Sequence, residues 1–454
     1  MTVLLYTLGV VLFVAAILAS IALHELGHLV PAKRFGAKVT QYFIGFGPTL
    51  WSRRGGETEY GVKAIPLGGY VKIVGMLPPG PGDTPGSALA AAAGPAAEGA
   101  PVGERVRPSN TGLFTQLIAD ARTAEWELVG PEDADRLFYR LPWWKKVIVM
   151  AGGPTVNILI AFVIFAGVFA TYGNPADVRL TPVVDEVSAC VVPYAESSRA
   201  CTDADPVAPA KAAGLEPGDE IVAFNGTEVT SWEQLSTLIR GNENGTAEIT
   251  VLREGERITS TTNTTVAARP TSATDERLVQ VGFLGVLPTA EIGSGGPLYT
   301  LGQMGTMTLD TAQALVTLPN KVWHVGLAIV GLEERDPMGP VSIVGGGRVA
   351  GETTSSDQIE ILEKAVFLLM LIAGFNFFIG MFNFLPLLPL DGGHIAGALY
   401  EGARRGVARV RGRPDPGYVD VARLLPIAYV MAGVFLVMGV VLIVGDLVVP
   451  VELF

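Results

Sequence analysis

The sequence predicts a polytopic α-helical membrane protein with four transmembrane helices, a membrane-associated β-hairpin region and one extracytoplasmic domain of mixed α/β character. Three observations carry this. Mean hydropathy is +0.41 and only 17 % of the 454 residues are charged, so much of the apolar content must face lipid. Four stretches are long and uncharged enough to cross a hydrocarbon core of about 30 Å. Between the second and third lies a polar run whose short alternating segments and turn residues belong to a folded extramembrane domain.

The first span lies in 1–35, with no charged residue before His24. Ala19, Ser20 and Ala22 offer a small-residue cleavage site, but no basic segment precedes them and the apolar run is too long for a signal peptide. The second, in 141–173, starts behind Trp143, Trp144, Lys145 and Lys146, an aromatic and basic interface marker. The third, in 363–400, is interrupted by Asn376 and Asn383, and the fourth, in 424–454, carries Asp446 near its end. Basic residues orient them. Lys33, Arg34, Lys38, Arg53 and Arg54 follow the first span, and Arg404, Arg405, Arg409, Arg411 and Arg413 follow the third. Loops 31–146 and 401–423 are therefore expected in the cytoplasm, with both termini and the mixed α/β domain outside. A formal net charge of −12 argues against nucleic acid and leaves the lipid bilayer as the expected partner.

Residues 36–76 read as β-hairpins punctuated by Gly45-Phe-Gly-Pro48, Gly55-Gly56 and Pro66-Leu-Gly-Gly-Tyr70. Residues 77–140 are rich in Pro, Gly and Ala and are expected to be a disordered cytoplasmic insertion, with a short helix before Pro142. In 178–288, the run from Pro209 to Gly226 gives a short helix, a turn, a strand and an Asn-Gly hairpin. Cys190 and Cys201, the chain's two cysteines, lie in this outward domain and are expected to form a disulfide. Residues 289–362 read as an amphipathic extracytoplasmic segment lying on the outer face, where His324 takes an interfacial or packing role.

The chemistry is concentrated in His24-Glu25-Leu-Gly-His28. Positions i and i+4 share a helix face, so both imidazoles can reach one zinc ion, while Glu25 sits where it can take a proton from water. Ionisable groups at the end of a span are costly and mark a functional site. A catalytic zinc takes three protein ligands and keeps one open position. The run Asn383-Phe-Leu-Pro386-Leu-Leu-Pro389-Leu-Asp391-Gly-Gly-His394 ends the third span, which parity places level with His24 and His28. Asp391, at the turn, is the preferred third ligand. His394 competes with it, and Asp391 could instead cap the following helix. Two other functions compete with hydrolysis. A non-proteolytic scaffold would use the metal structurally, and a metal transporter would spread polar groups through the spans.

These motifs, together with Ala151-Gly-Gly-Pro-Thr-Val-Asn157 and Gly339-Pro-Val-Ser-Ile343, resemble the site-2 protease family of intramembrane zinc metalloproteases, in its regulator-of-sigma-E-protease branch. Residues 178–288 resemble a circularly permuted PDZ-like domain. The resemblance implies one Zn2+ per chain held by His24, His28 and Asp391, with Glu25 as the base. It implies that the hairpin around Gly45, Phe46 and Gly47 receives substrate as an added strand, helped by Asn383 and Pro386. The implied substrate is the transmembrane segment of a single-pass protein of the anti-sigma factor type, already cut on its extracytoplasmic side. That places the chain in a bacterial cell membrane, in regulated intramembrane proteolysis and stress signalling. Where some relatives have two PDZ-like domains this chain has one, and the 77–140 insertion matches no family role.

Overall fold

The computed structural model describes residues 2–78, 118, 129, 131–196, 199–272 and 275–451. The chain begins with α1 (Thr2–Arg34), β1 (Val39–Gly55), β2 (Thr58–Ile73) and α2 (Trp143–Thr171). Next come β3 (Val178–Val187), α3 (Pro209–Ala212), β4 (Glu220–Phe224), β5 (Thr227–Glu228), α4 (Trp232–Gly241), β6 (Thr246–Arg253) and β7 (Glu256–Asn263). The strands β8 (Thr265–Ser272), β9 (Asp275–Phe283) and β10 (Val286–Ile292) follow. The remainder is helical: α5 (Pro297–Ile329), α6 (Ile343–Ser355), α7 (Ile361–Asn383), α8 (Asp391–Val410) and α9 (Leu425–Val448). Two compact units result, one of Met1–Val168 with Gly296–Phe454, the other of Phe169–Gly295.

Among the described residues four helical stretches are long and apolar enough to cross a membrane: Thr2–Arg34, Trp143–Thr171, Ile361–Asn383 and Val421–Val448. The span expected over 363–400 ends at Asn383, and Asp391–Val410 forms a separate helix. Two of the charges in these spans are buried in ion pairs with other elements. Lys146 of α2 meets Glu401 of α8 at 2.7 Å, both buried. Asp446 in the last span accepts from Arg335 at 3.1 Å and from the Ser342 backbone N–H at 2.6 Å.

Within 289–362 the structure has two helices. Ile343–Ser355 buries Gly345, Gly346, Gly347, Ala350 and Gly351, and Phe13 of α1 packs with Ala350 in one cluster. A face of small residues lets two helix backbones approach closely, which is how helices associate in lipid.

β1 and β2 form one folded ribbon in place of several separate hairpins. Phe43 stands opposite Tyr70 on one side and Gly61 on the other. The first half of β1 is thus the inner strand and residues 69–73 form an outer one. Of the expected insertion, 79–117, 119–128 and 130 lie outside the described residues. Its last part is packed: Val129, Leu137 and Tyr139 are buried with Val74. Lys38 meets Asp133 at 2.6 Å and Arg136 meets Glu57 at 2.6 Å. The short helix expected before Pro142 is two 3₁₀ turns, Pro131–Asp133 and Phe138–Arg140.

The second unit has a sheet in the order β10-β3-β4-β6-β7 with β5 beside β4, and a separate β8–β9 pair. Alternation on β6 turns Ala247, Ile249 and Val251 inward, and with Ile221 and Phe224, which lie on either side of a register shift in β4, they form a core with Leu235 and Ile239 of α4. The β4–β5 turn is Asn225-Gly226 with φ of 48° and 75°, the conformation a two-residue hairpin needs. Cys190 and Cys201 are disulfide-bonded. Asp219 is buried and accepts from Arg253 Nε at 2.7 Å and from the Glu216 backbone N–H at 2.9 Å. Burial alone would raise its pKa, but those hydrogen bonds outweigh it and hold the carboxyl below its usual range. A pKa lowered by folding means that its stabilisation is present at neutral pH and is lost as pH falls through the carboxylate range. Asp219→Ala should therefore cost this unit about 3 kcal/mol at pH 7 and less at acidic pH. Loss of hydrogen-exchange protection in β4 and β6 at pH 7, and a smaller loss at acidic pH, checks both statements.

Candidate metal centre

His24 and His28 lie one helical turn apart on α1, and their Nε2 atoms are 3.3 Å from one another. Asp391 Oδ2 is 3.3 Å from His24 Nε2 and 3.2 Å from His28 Nε2. Three ligands about 2.0–2.1 Å from a tetrahedral zinc stand roughly 3.3 Å apart, so this triangle has the size and donor chemistry of such a site. Among the described residues it is the one group of three metal-ligating side chains gathered in this way. The far side of each ring is also occupied. His24 Nδ1 is 2.8 Å from Asn157 Oδ1, and His28 Nδ1 is 2.8 Å from the Val149 carbonyl.

The triangle exists because α2 comes against α1 with no side chain between them. A Cβ on Gly152 would fall 1.9 Å from the Gly27 carbonyl oxygen. One on Gly153 would fall 2.3 Å from His28 Nε2 and 2.7 Å from His24 Nε2, in the space a cation needs. Asp391 arrives by an equally tight turn. A Cβ on Gly392 would meet the Leu385 carbonyl at 2.0 Å, and one on Gly393 the Leu388 nitrogen at 2.7 Å. Asp391 is the first helical residue of α8 and Leu390 holds the cap position, so its carboxylate is turned toward the imidazoles and does not cap the helix. His394 lines the same cavity outside the triangle.

The cavity holds about 430 Å³. Glu25 faces it beside the outer strand of β2. A Cβ on Gly69 would come within 2.9 Å of the Glu25 side chain. Of the residues expected around substrate, Asn383 lines the cavity, whereas in place of Pro386 it is Pro389 that does so. Gly45, Phe46 and Gly47 do not line it. Phe46 stacks on Tyr70 at 6.2 Å, one strand behind Gly68–Val71, which forms the wall. The inner position of β1 in the ribbon is the reason. Cys190 and Cys201 belong to the other unit. Sequence reasoning assigned no role to Gly153, Asn157 or Gly69, although an asparagine inside a charge-free span was a usable signal for the second.

The sequence model described as Peptidase family M50 matches residues 12–419. Zinc metalloprotease Rip1 of Mycobacterium tuberculosis is 34 % identical, over 99 % of this chain and all of that one. The protein of the same name in Mycolicibacterium smegmatis is 32 % identical over the same shares. A putative zinc metalloprotease of Mesorhizobium japonicum is 26 % identical over 86 % of each chain.

Gly153→Ala should expel a bound metal while leaving the apolar surface of α2 unchanged. Metal analysis of the purified variant is expected to show less than about a tenth of the parent's metal content, because a Cβ has nowhere else to go between two packed helices.

Proposed function

The chain belongs to peptidase family M50 and is an intramembrane zinc metalloprotease of the site-2 kind, and we propose that His24, His28 and Asp391 hold its zinc while Glu25 moves the proton. The observation that carries these assignments is the triangle of ligand atoms 3.2–3.3 Å apart, with a carboxylate one residue along the same helix. Zinc, when bound there, polarises the scissile carbonyl and lowers the pKa of the attacking water. Glu25 accepts that water's proton and delivers it to the leaving amine.

A transmembrane substrate arrives as a helix with every amide bonded, so it must open before it can be cut. The strand 68–71 borders the cavity and offers a backbone edge to which an opened segment can add. Gly45 and Gly47, with φ of 88° and 84°, turn β1 behind it, and Phe46 buttresses Tyr70. Asn383 and Pro389 border the other side. We take the substrate to be a single-pass protein of the anti-sigma factor type, trimmed beforehand on its extracytoplasmic side, and the membrane to be the bacterial cell membrane. Positive-inside orientation puts 31–146 and 401–423 in the cytoplasm and both termini outside, together with a PDZ-like domain over 178–288. That domain acts as a gate against untrimmed substrates.

Glu25→Gln is expected to keep its zinc and lose turnover by roughly 10²–10⁴ on a transmembrane peptide reporter. Near-normal cleavage by the zinc-loaded variant removes Glu25 from the proton's path. Asp391→Ala should lower zinc content and His394→Ala should not; the reverse pattern moves the ligand role to His394. Deleting 178–288 should leave zinc bound and admit untrimmed substrate, measured by pairing trimmed and untrimmed reporters with intact and deleted enzyme.

A further inference from the structure

The second and third spans each carry a buried asparagine that the proton transfer does not use. Asn157 on α2 is 1 % exposed and Asn376 on α7 is fully buried. An uncharged amide is the least costly polar group to place at such a depth, but it still needs partners. The partners form a directed series. Asn376 Nδ2 is 2.9 Å from the Ile372 carbonyl, Asn157 Nδ2 is 3.4 Å from Asn376 Oδ1, and His24 Nδ1 is 2.8 Å from Asn157 Oδ1.

The direction follows from the first link. A backbone carbonyl can only accept, so Asn376 must turn its NH2 to Ile372 and its oxygen to Asn157. Asn157 must then give its own NH2 to Asn376, which leaves its oxygen for His24. Facing an oxygen, His24 must carry its proton on Nδ1, and the lone pair is left on Nε2, the atom that faces His28 and Asp391. We propose that Asn157 and Asn376 are positioning residues: an amide relay, anchored on a helix carbonyl, that selects the metal-binding tautomer of His24. His28 gets the same instruction directly from the Val149 carbonyl. Outer partners of this sort set metal affinity by about 10–100-fold. The inference rests on His24 being a zinc ligand, as proposed above.

The test measures zinc dissociation constants by chelator competition on the full-length chain in detergent, with the visible spectrum of the cobalt-loaded protein as a second readout. Asn157→Leu should weaken zinc about 10–100-fold, and Asn157→Asp, which accepts through either oxygen, should restore it. Asn376→Leu should weaken zinc in the parent but not in the Asn157→Asp background, because a carboxylate needs no neighbour to choose its orientation. An equal loss in both backgrounds reduces Asn376 to helix packing and overturns the relay. So does parent-like affinity in both Asn376→Leu and Asn157→Leu. If Asn157→Leu does not fold, the two Asn376→Leu measurements decide alone. His24→Ala separates the two levels: zinc retained by that variant defeats the ligand assignment, whereas zinc lost there with parent-like Asn157→Leu defeats only the relay.

Discussion

A polar side chain at membrane depth has no water to bond, and those around the candidate metal centre are met by groups from other elements. The Nδ1 atoms of His24 and His28 face Asn157 and the Val149 carbonyl of the second span, their Nε2 atoms face Asp391, and Glu25 faces the outer strand of β2. The partners therefore come from α1, β2, α2 and the start of α8, and the ionisable groups on α1 are what draw these elements to one point. Lys146 with Glu401 and Arg335 with Asp446 obey the same requirement further along the spans. Removing one member of such a pair leaves a buried charge exposed to low dielectric, which is why pairs of this kind act as fixed joints between helices.

Meeting these groups requires backbones to come closer than side chains normally allow. Lipid gives helices no hydrophobic reason to associate, so close packing of small residues supplies the attraction. Gly27 against Gly152, Gly153 against the two imidazoles, and Gly392 and Gly393 in the turn before α8 all serve this purpose. The metal-sized space between the three side chains is bounded on one side by the main chain of Gly153. A preorganised electrostatic site of this type needs no rearrangement when charge develops during reaction. Gly69 applies the same device to Glu25, bringing strand backbone against the carboxylate.

The hairpin brings in the one kind of structure lipid does not tolerate, an open strand edge. Such backbone survives at membrane depth where it lines a cavity. Gly68–Val71 does so.

Much of this was legible along the chain. Span limits followed from uncharged length, the histidines' common face from the 3.6-residue period, the Asn225-Gly226 hairpin from turn chemistry, and family membership from motifs spread over the whole chain. These are properties of residues near one another in sequence, fixed by local sterics and by transfer from water to lipid. The nearness of Asp391 to both imidazoles, the absence of Gly45–Gly47 from the cavity wall and the packing of Val129, Leu137 and Tyr139 against Val74 depended on how distant segments meet. So did the meaning of Gly153 and Asn157, which make sense only when α2 lies against α1. Sequence alone determined which segments cross the membrane and which residue types can bind a metal. Tertiary structure decided which backbone atoms and amides surround them, because a contact across 130 residues leaves no periodicity in the chain that makes it.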